Sequence, residues 1–369
     1  MFPRVETRHT PRLMKKCLIS PCSTLPRRFW QAFLVLPVWL WLAPAHAASS
    51  APVFVYYQIG ADQEPADNLR IEQFEAQLEM LKEEDYVVWP VAEIVQGLKD
   101  HKPLPEHAVG LTFDDAYRSV ADNALPRLQA ARMTATIFVS PKLVDRGGGY
   151  MSWDELRRAS REGFAIGAKI LMDDVDDSDS VHMLAAVNES LTRIRDEIGT
   201  APTLFAYEDG IAEQPVRDIV ASRGFIGAFG LQSGPVHGDS QFYLLPRFPM
   251  TEAFGTLDRF RTAANSLPLP ITDLLPEDGS VVVGENPPQI GFTVRGNDAD
   301  LTKLACFIED QGKAALEVIG QRVEIRPAQP FDEDDTTRVN CTVPGSGANA
   351  GRWHWLGFNF YVPERRDGP

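Results

Sequence analysis

Cysteine is scarce in this chain, with four in 369 residues. Cys17 and Cys22 fall in an N-terminal stretch that does not belong to the fold, which leaves Cys306 and Cys341. Their spacing suits no zinc motif, so the pair is read as one disulfide. Long apolar runs are missing as well. Residues 29–42 are short of the roughly 20 needed to cross a bilayer and are interrupted by Pro37. No later segment does better, so a membrane partner is expected only if that stretch is retained as an anchor. There is no internal repeat and no EF-hand spacing. A basic excess is also absent, since the whole chain carries −15. Nucleic acid and anionic lipid are therefore poor partners, whereas a cationic polymer such as an amino sugar would be attracted.

What basic character exists is gathered at the start. Arg4, Arg8, Arg12, Lys15, Lys16, Arg27 and Arg28 precede the apolar residues 29–42, and Ala45-His46-Ala47 follows. This is the order of a secretory signal peptide, expected over 1–47, with Met14 as an alternative start. Export to the periplasm, or secretion, is the expectation. Without these residues the remainder carries about −21.

From residue 53 to 229 apolar runs alternate with amphipathic stretches. Strands are predicted at 53–59, 87–91, 109–113, 135–139, 164–168, 204–207 and 226–229. Helices are predicted at 71–83, 92–99, 121–131, 152–162, 181–197 and 215–223, and Ser152-Trp-Asp-Glu155 has capping-box spacing at one start. Such alternation predicts α/β architecture, a parallel sheet with outer helices, most simply a barrel over 48–266. Beyond Leu267-Pro-Leu-Pro270 the texture changes to short extended runs between turn residues. That predicts a small all-β, sandwich-like domain over 267–369, stapled by Cys306 and Cys341.

Val109-Gly-Leu-Thr-Phe-Asp-Asp115 carries most of the chemistry. Strand formers lead into two adjacent carboxylates, and a helix follows. In parallel α/β folds the carboxyl end of a strand is where sites are built. Two neighbouring carboxylates repel, so a cation or a proton must sit between them, or both must stay wet. A helix cap with a solvated neighbour would also explain the pair.

These residues resemble the first motif of the polysaccharide deacetylases, the NodB-homology group or carbohydrate esterase family 4. Tyr150-Met-Ser-Trp-Asp154, Leu204-Phe-Ala-Tyr207 with Gly210, Ala228-Phe-Gly-Leu-Gln-Ser-Gly234 and Leu245-Pro-Arg-Phe-Pro-Met250 resemble further segments of that family. The resemblance implies a distorted (β/α) barrel that removes acetyl groups from N-acetylated sugars. It also implies a divalent metal, zinc or similar, that polarises the amide and acidifies a water. Position by position, Asp114 is implied as general base and Asp115 as metal ligand. Arg247 is a candidate to position Asp114 or to bind a sugar carboxylate, with a structural ion pair as the equal alternative. Tyr57, Tyr150, Trp153 and Tyr207 are candidates for the substrate groove.

The chain departs from the family's pattern at three places. The two metal-binding His positions of the second motif hold Lys169 and Asp173, the third motif reads Tyr207-Glu208-Asp209-Gly210, and Gln58 follows Tyr57. A protonated ammonium has no lone pair to give a metal. Lys169 can instead place its charge beside Asp115, a fixed cation in place of an exchangeable one. The bland alternative is a Lys169 turned to solvent. A remodelled metal site from Asp115, Asp173 and His182 is a further alternative, with oxygen ligands suited to calcium, magnesium or manganese. His237 is placed in a loop near the cleft, His107 on the far surface, and Trp353 with Trp355 on one strand face, read as sandwich core.

Two readings follow. One is an exported protein of the deacetylase family that binds or acts on an N-acetylated envelope or exopolysaccharide glycan, with catalysis weak or lost and exopolysaccharide export machinery as a possible partner. The other is an active metal-dependent N-deacetylase with a rebuilt site. A glycosidase using paired carboxylates has little beyond the abundance of acids to support it.

Overall fold

The computed structural model describes residues 48–61, 66–171, 180–277, 279, 281, 284–296, 299–333 and 335–362. The expected signal peptide and Asp173 lie outside these. Among the described residues no helix is long and apolar enough to cross a membrane.

The architecture is mixed α/β. A curled half-barrel sheet runs Ser50–Tyr56, Ala108–Asp114, Thr136–Val139, Ala165–Lys169, Leu204–Ala206, Gly227–Phe229, each parallel to its neighbour. Residues 245–249 bring its two open edges together: Leu245 bridges to Phe229, and Phe248 pairs with Phe54. Ala108–Asp114 is buried along its whole length, as a parallel strand covered on both faces should be. All the carboxyl ends therefore converge on one mouth, and Asp114 and Lys169 are the last residues of their strands.

Helices form where the apolar spacing predicts them. Ile71–Glu83 buries Phe74, Gln77, Leu78 and Leu81, one stripe of a 3.6-residue repeat. Trp153–Arg161 starts at the expected capping box, with Glu155 N–H bonding Ser152 Oγ at 3.3 Å and Ser152 N–H bonding Glu155 Oε2 at 2.7 Å. Two expectations are corrected in detail. The run at 53–59 is not one strand: it ends at Tyr56, and Gln58–Ile59 pairs separately with Asn68–Leu69. The helix expected from 121 opens as a π-turn, Val120–Ala124, before Leu125–Ala131. Pro126 explains this, because it has no N–H to hold the ordinary i to i−4 register there.

Past the barrel, two antiparallel-rich sheets follow. One runs Leu267–Pro268, Trp353–Val362, Asp335–Pro344, Ala305–Ile308, Gly312–Lys313, and the other Ile271–Leu275, Ile290–Val294, Arg322–Arg326, Ala315–Ile319. Phe292 and Phe358, with ring centres 5.7 Å apart, belong to the buried cluster they share. Cys306 and Cys341 are directly opposite across two paired strands and are bonded through sulfur. Trp353 and Trp355 do not enter this core. Along Trp353–Val362 the inward positions are His354, Phe358, Phe360 and Val362. The strand's two-residue period turns the tryptophans the other way. Trp353 is exposed, while Trp355 packs edge-on against Phe248 of the barrel at 5.1 Å.

Candidate active site

The chain turns sharply after Asp114. Asp115 and Ala116 both take left-handed backbone angles, φ 67° and 50°. Asp tolerates that region, whereas Ala pays a steric cost. The turn is braced by Met151 N–H bonding Ala116 O at 2.8 Å and by a bridge between Tyr117 and Tyr150. Its effect is to send the two carboxylates in different directions.

Asp114 points inward. Its Oδ1 accepts from Arg247 Nη1 at 2.6 Å and its Oδ2 from Arg247 Nη2 at 3.0 Å. Both side chains are out of water. The guanidinium is satisfied elsewhere too: Nη1 reaches Thr112 Oγ1 at 3.2 Å and Nε reaches Gly230 O at 3.1 Å. Phe138 and Phe229 lie against it, their ring centres 5.4 and 5.6 Å from Cζ. Gly167 permits this packing, because a Cβ there would collide with the Phe138 ring. Of the three roles open to Arg247 in the sequence, the geometry fits an ion pair that holds Asp114. It has no free edge for a sugar carboxylate.

Asp115 meets Lys169. The ammonium nitrogen stands 2.7 Å from Oδ1 and 2.8 Å from Oδ2. Hydrogen-bond alignment is met at Oδ2, and Oδ1 has charge beside it without an aligned donor. Lys169 is buried. Burial by itself disfavours the ammonium, but Asp115 and Asp114 outweigh it, so the Lys169 pKa stands above its ordinary value. Burial pushes the Asp115 carboxyl up, Lys169 pulls it back, and Asp114 pushes it up again. We take the charged pair as the resting state, because the contact is short and aligned at one oxygen.

Tyr57 completes the group. It is half-buried at the mouth, among Asp114, Arg247, Lys169 and Asp115, and burial raises its pKa, with Asp114 adding to the rise. Tyr150 stacks on Tyr117 at 5.1 Å, and both are partly exposed. Tyr117 is a wall residue that the sequence reading passed over. The signal was its place in Asp114-Asp-Ala-Tyr117, two residues beyond the pair.

Trp153 and Tyr207 are corrections. Trp153 is 5% exposed and Tyr207 2%, and both belong to the barrel core. Trp153 heads the buried face of its helix, with Arg193 over its ring. Tyr207 spends its hydroxyl on Tyr243 O at 2.9 Å. Neither can line an open groove. His182 is exposed on the helix Ser180–Ile198. Asp173, its proposed co-ligand, lies outside the described residues. His237 rims a different cavity, and His107 is exposed against Tyr86.

Among the described residues no three His, Cys, Asp or Glu converge to hold an ion. The position beside Asp115 holds a cation that cannot itself coordinate. The described set does not fit the metal.

The family model for polysaccharide deacetylase matches residues 101–227. A curated relative, poly-beta-1,6-N-acetyl-D-glucosamine N-deacetylase of Escherichia coli K12, is 30% identical over 109 residues, 26% of this chain and 16% of the relative. The chain thus matches less than a fifth of that relative's length. Among solved structures, Streptococcus pyogenes deacetylase PplD in complex with acetate aligns with TM-score 0.54 at 16% identity, over 59% of this chain and 99% of the other. IcaB from Ammonifex degensii aligns with TM-score 0.52 at 19% identity, over 59% and 97%. At such identity these two speak to the fold alone. That family generally uses a divalent metal. With the matched segment running from residue 101 to 227 and Asp114, Asp115 and Lys169 inside it, the barrel of this chain is a polysaccharide deacetylase domain of the NodB-homology type.

Proposed function

We propose that the chain binds an N-acetylated envelope or exopolysaccharide glycan at the barrel mouth, and that amide hydrolysis there is weak or lost. One observation carries this: the Lys169 ammonium lies within hydrogen-bond reach of both Asp115 oxygens, where the family would place a dication. The ammonium neutralises Asp115 as a metal would. It cannot take a water as ligand or lower its pKa, so the nucleophile is not generated. Tyr57, Tyr117 and Tyr150 supply partly exposed aromatic surface suited to sugar rings. The activity named for the Escherichia coli relative supports a polymer of N-acetylglucosamine type as ligand. The basic-then-apolar start of the chain supports export to the periplasm or secretion.

The second reading is an active N-deacetylase with a remodelled metal site. Asp115 Oδ1, which lacks an aligned donor, favours it. One experiment separates the two. Purified protein is assayed for acetate release from N-acetylglucosamine oligomers, beside elemental analysis and oligomer binding by calorimetry. Oligomer binding without stoichiometric metal or acetate supports the first reading. Stoichiometric metal with acetate release that disappears in Asp114→Asn establishes the second. No binding and no release refutes both.

A further inference from the structure

Barrel and sheet meet at a second place, apart from the cavity that His237 rims between them. Trp355 packs on Phe248 and gives its indole N–H to Asn340 Oδ1 at 3.0 Å. Pro249, next to Phe248, accepts at its carbonyl from Arg259 Nη1 at 3.1 Å. The same nitrogen reaches Phe254 O at 2.7 Å. On the sheet, Asn340 lies directly across from Phe307. Two residues along the same face stand Arg338 and Glu309, joined by Glu309 N–H to Arg338 O at 2.9 Å. This run of contacts brings the helix Leu257–Ala264, which carries Arg259, to the sheet face that carries Arg338.

The junction has an excess of positive charge. Glu309 places one oxygen 3.3 Å from Arg338 Nη1, and its other oxygen accepts from Arg338 N–H at 3.1 Å. Among the described residues no carboxylate acts on Arg259; the charge that does is the other guanidinium, Arg338. Burial and that neighbour push Arg259 down to about 10. One carboxylate thus stands beside two cations, in a chain that is acidic overall.

Donors are left over as well. Arg338 Nε is buried with no acceptor. Both hydrogen bonds of Arg259 leave from Nη1, so its Nε and Nη2 edge is open. A guanidinium edge of that kind matches the two oxygens of a carboxylate or phosphate. A half-buried cation without a counter-charge is costly, and an anion offsets that cost. Rings flank the pair. Phe254 lies under Arg259, its centre 5.0 Å from Cζ, and is 38% exposed. Phe307, on the Arg338 face, is 47% exposed. A ligand with a ring therefore has carbon surface on which to lie.

We propose that Arg259 and Arg338 form a second binding site, and that it takes the oxyanion of an acidic saccharide, a sugar carboxylate or a sugar phosphate. It does not rest on the reading of the barrel mouth, since none of Asp114, Asp115, Lys169 and Arg247 takes part.

The test is calorimetric titration of the whole protein with tetragalacturonate, with glucose 1-phosphate and with neutral maltotetraose. At least one anion is expected to bind one per chain, and the tighter of the two tells carboxylate from phosphate. Arg338→Gln should weaken that binding about tenfold. Arg259→Gln should do the same. Because Arg259 also ties down the 249–254 turn, Phe254→Ala serves as a second variant that keeps both cations, and a loss of severalfold is expected. The bound anion should raise the unfolding temperature of wild type more than that of Arg338→Gln. Absence of binding by both anions at millimolar concentration overturns the proposal. So does binding that neither arginine variant weakens, or maltotetraose binding as tight as that of the anions.

Discussion

Arg247 holds Asp114 by both carboxylate oxygens, at 2.6 and 3.0 Å, with the guanidinium wholly out of water. Asp115, the next residue, has its own cation in Lys169. The two adjacent carboxylates thus face two fixed positive charges, and the group is neutral without an added ion. This is the physical reason the pair can sit at a buried strand end despite mutual repulsion.

Breaking the inner pair should be costly. Arg247→Met leaves Asp114 buried beside Thr112 without its counter-charge, and removing one partner of a buried pair costs about 3–5 kcal/mol. Urea unfolding should show a lower midpoint with an unchanged slope. Arg247→Lys should recover only part of the loss, since a point charge cannot reproduce two parallel bonds and the stacking on Phe138. Full recovery by lysine would show that charge alone, not the fork geometry, holds Asp114.

The outer pair gives a pH signature. The Lys169 pKa is raised in the folded chain above its ordinary 10.5. A group raised in this way stabilises the fold fully below its unfolded pKa, and that contribution fades as pH climbs past 10.5 toward the folded value. The stability advantage of wild type over Lys169→Met should therefore be flat through neutral pH and shrink in alkali. It should shrink in acid as well, because Asp115 without its ammonium loses the influence that lowers its pKa and takes up a proton earlier. Denaturant midpoints of both proteins across pH measure this. An advantage that grows in alkali would contradict the ion pair.

Much of the fold was legible because local and global signals agree. The Ile71–Glu83 helix has apolar spacing, an acidic first turn and a basic last turn, and it forms over the predicted residues. The placement of Asp114 and Lys169 at strand ends followed from apolar runs that stop at a charge. Less legible were residues whose side chain has two places to go. Trp153 and Tyr207 are aromatics at element ends and Trp355 lies near the start of its strand, where pattern alone does not say which way the ring turns. Tertiary packing decided each: Arg193 over Trp153, Tyr243 against Tyr207, Phe248 against Trp355. The cavity between barrel and sheets had no sequence signal, since its wall is assembled from segments far apart in the chain.

Replacing the fixed cation tests the metal argument directly. Lys169→His removes the ammonium and offers a nitrogen with a lone pair beside Asp115. Zinc titration followed by calorimetry should show binding by Lys169→His and none of comparable strength by wild type. A two-residue site is weaker than the three or four ligands of established zinc centres, so micromolar rather than nanomolar affinity is expected. Equal zinc binding by both proteins would mean that Lys169 does not occupy the ligand position.

Gly167 offers a last and more local test. It lies on the strand Ala165–Lys169, two residues before the ammonium, and pairs with Phe138 on the neighbouring strand. A methyl group there would run into the Phe138 ring, and that ring is the one packed against the Arg247 guanidinium. Gly167→Ala therefore has to displace Phe138, and with it the support that fixes the fork on Asp114. Overpacking of this kind costs about 1–3 kcal/mol. If Phe138 serves as the guanidinium's platform, combining Gly167→Ala with Arg247→Met should cost less than the sum of the two, because the second change removes what the first disturbs. Simple additivity in unfolding midpoints would mean the ring fills space without steadying the charge.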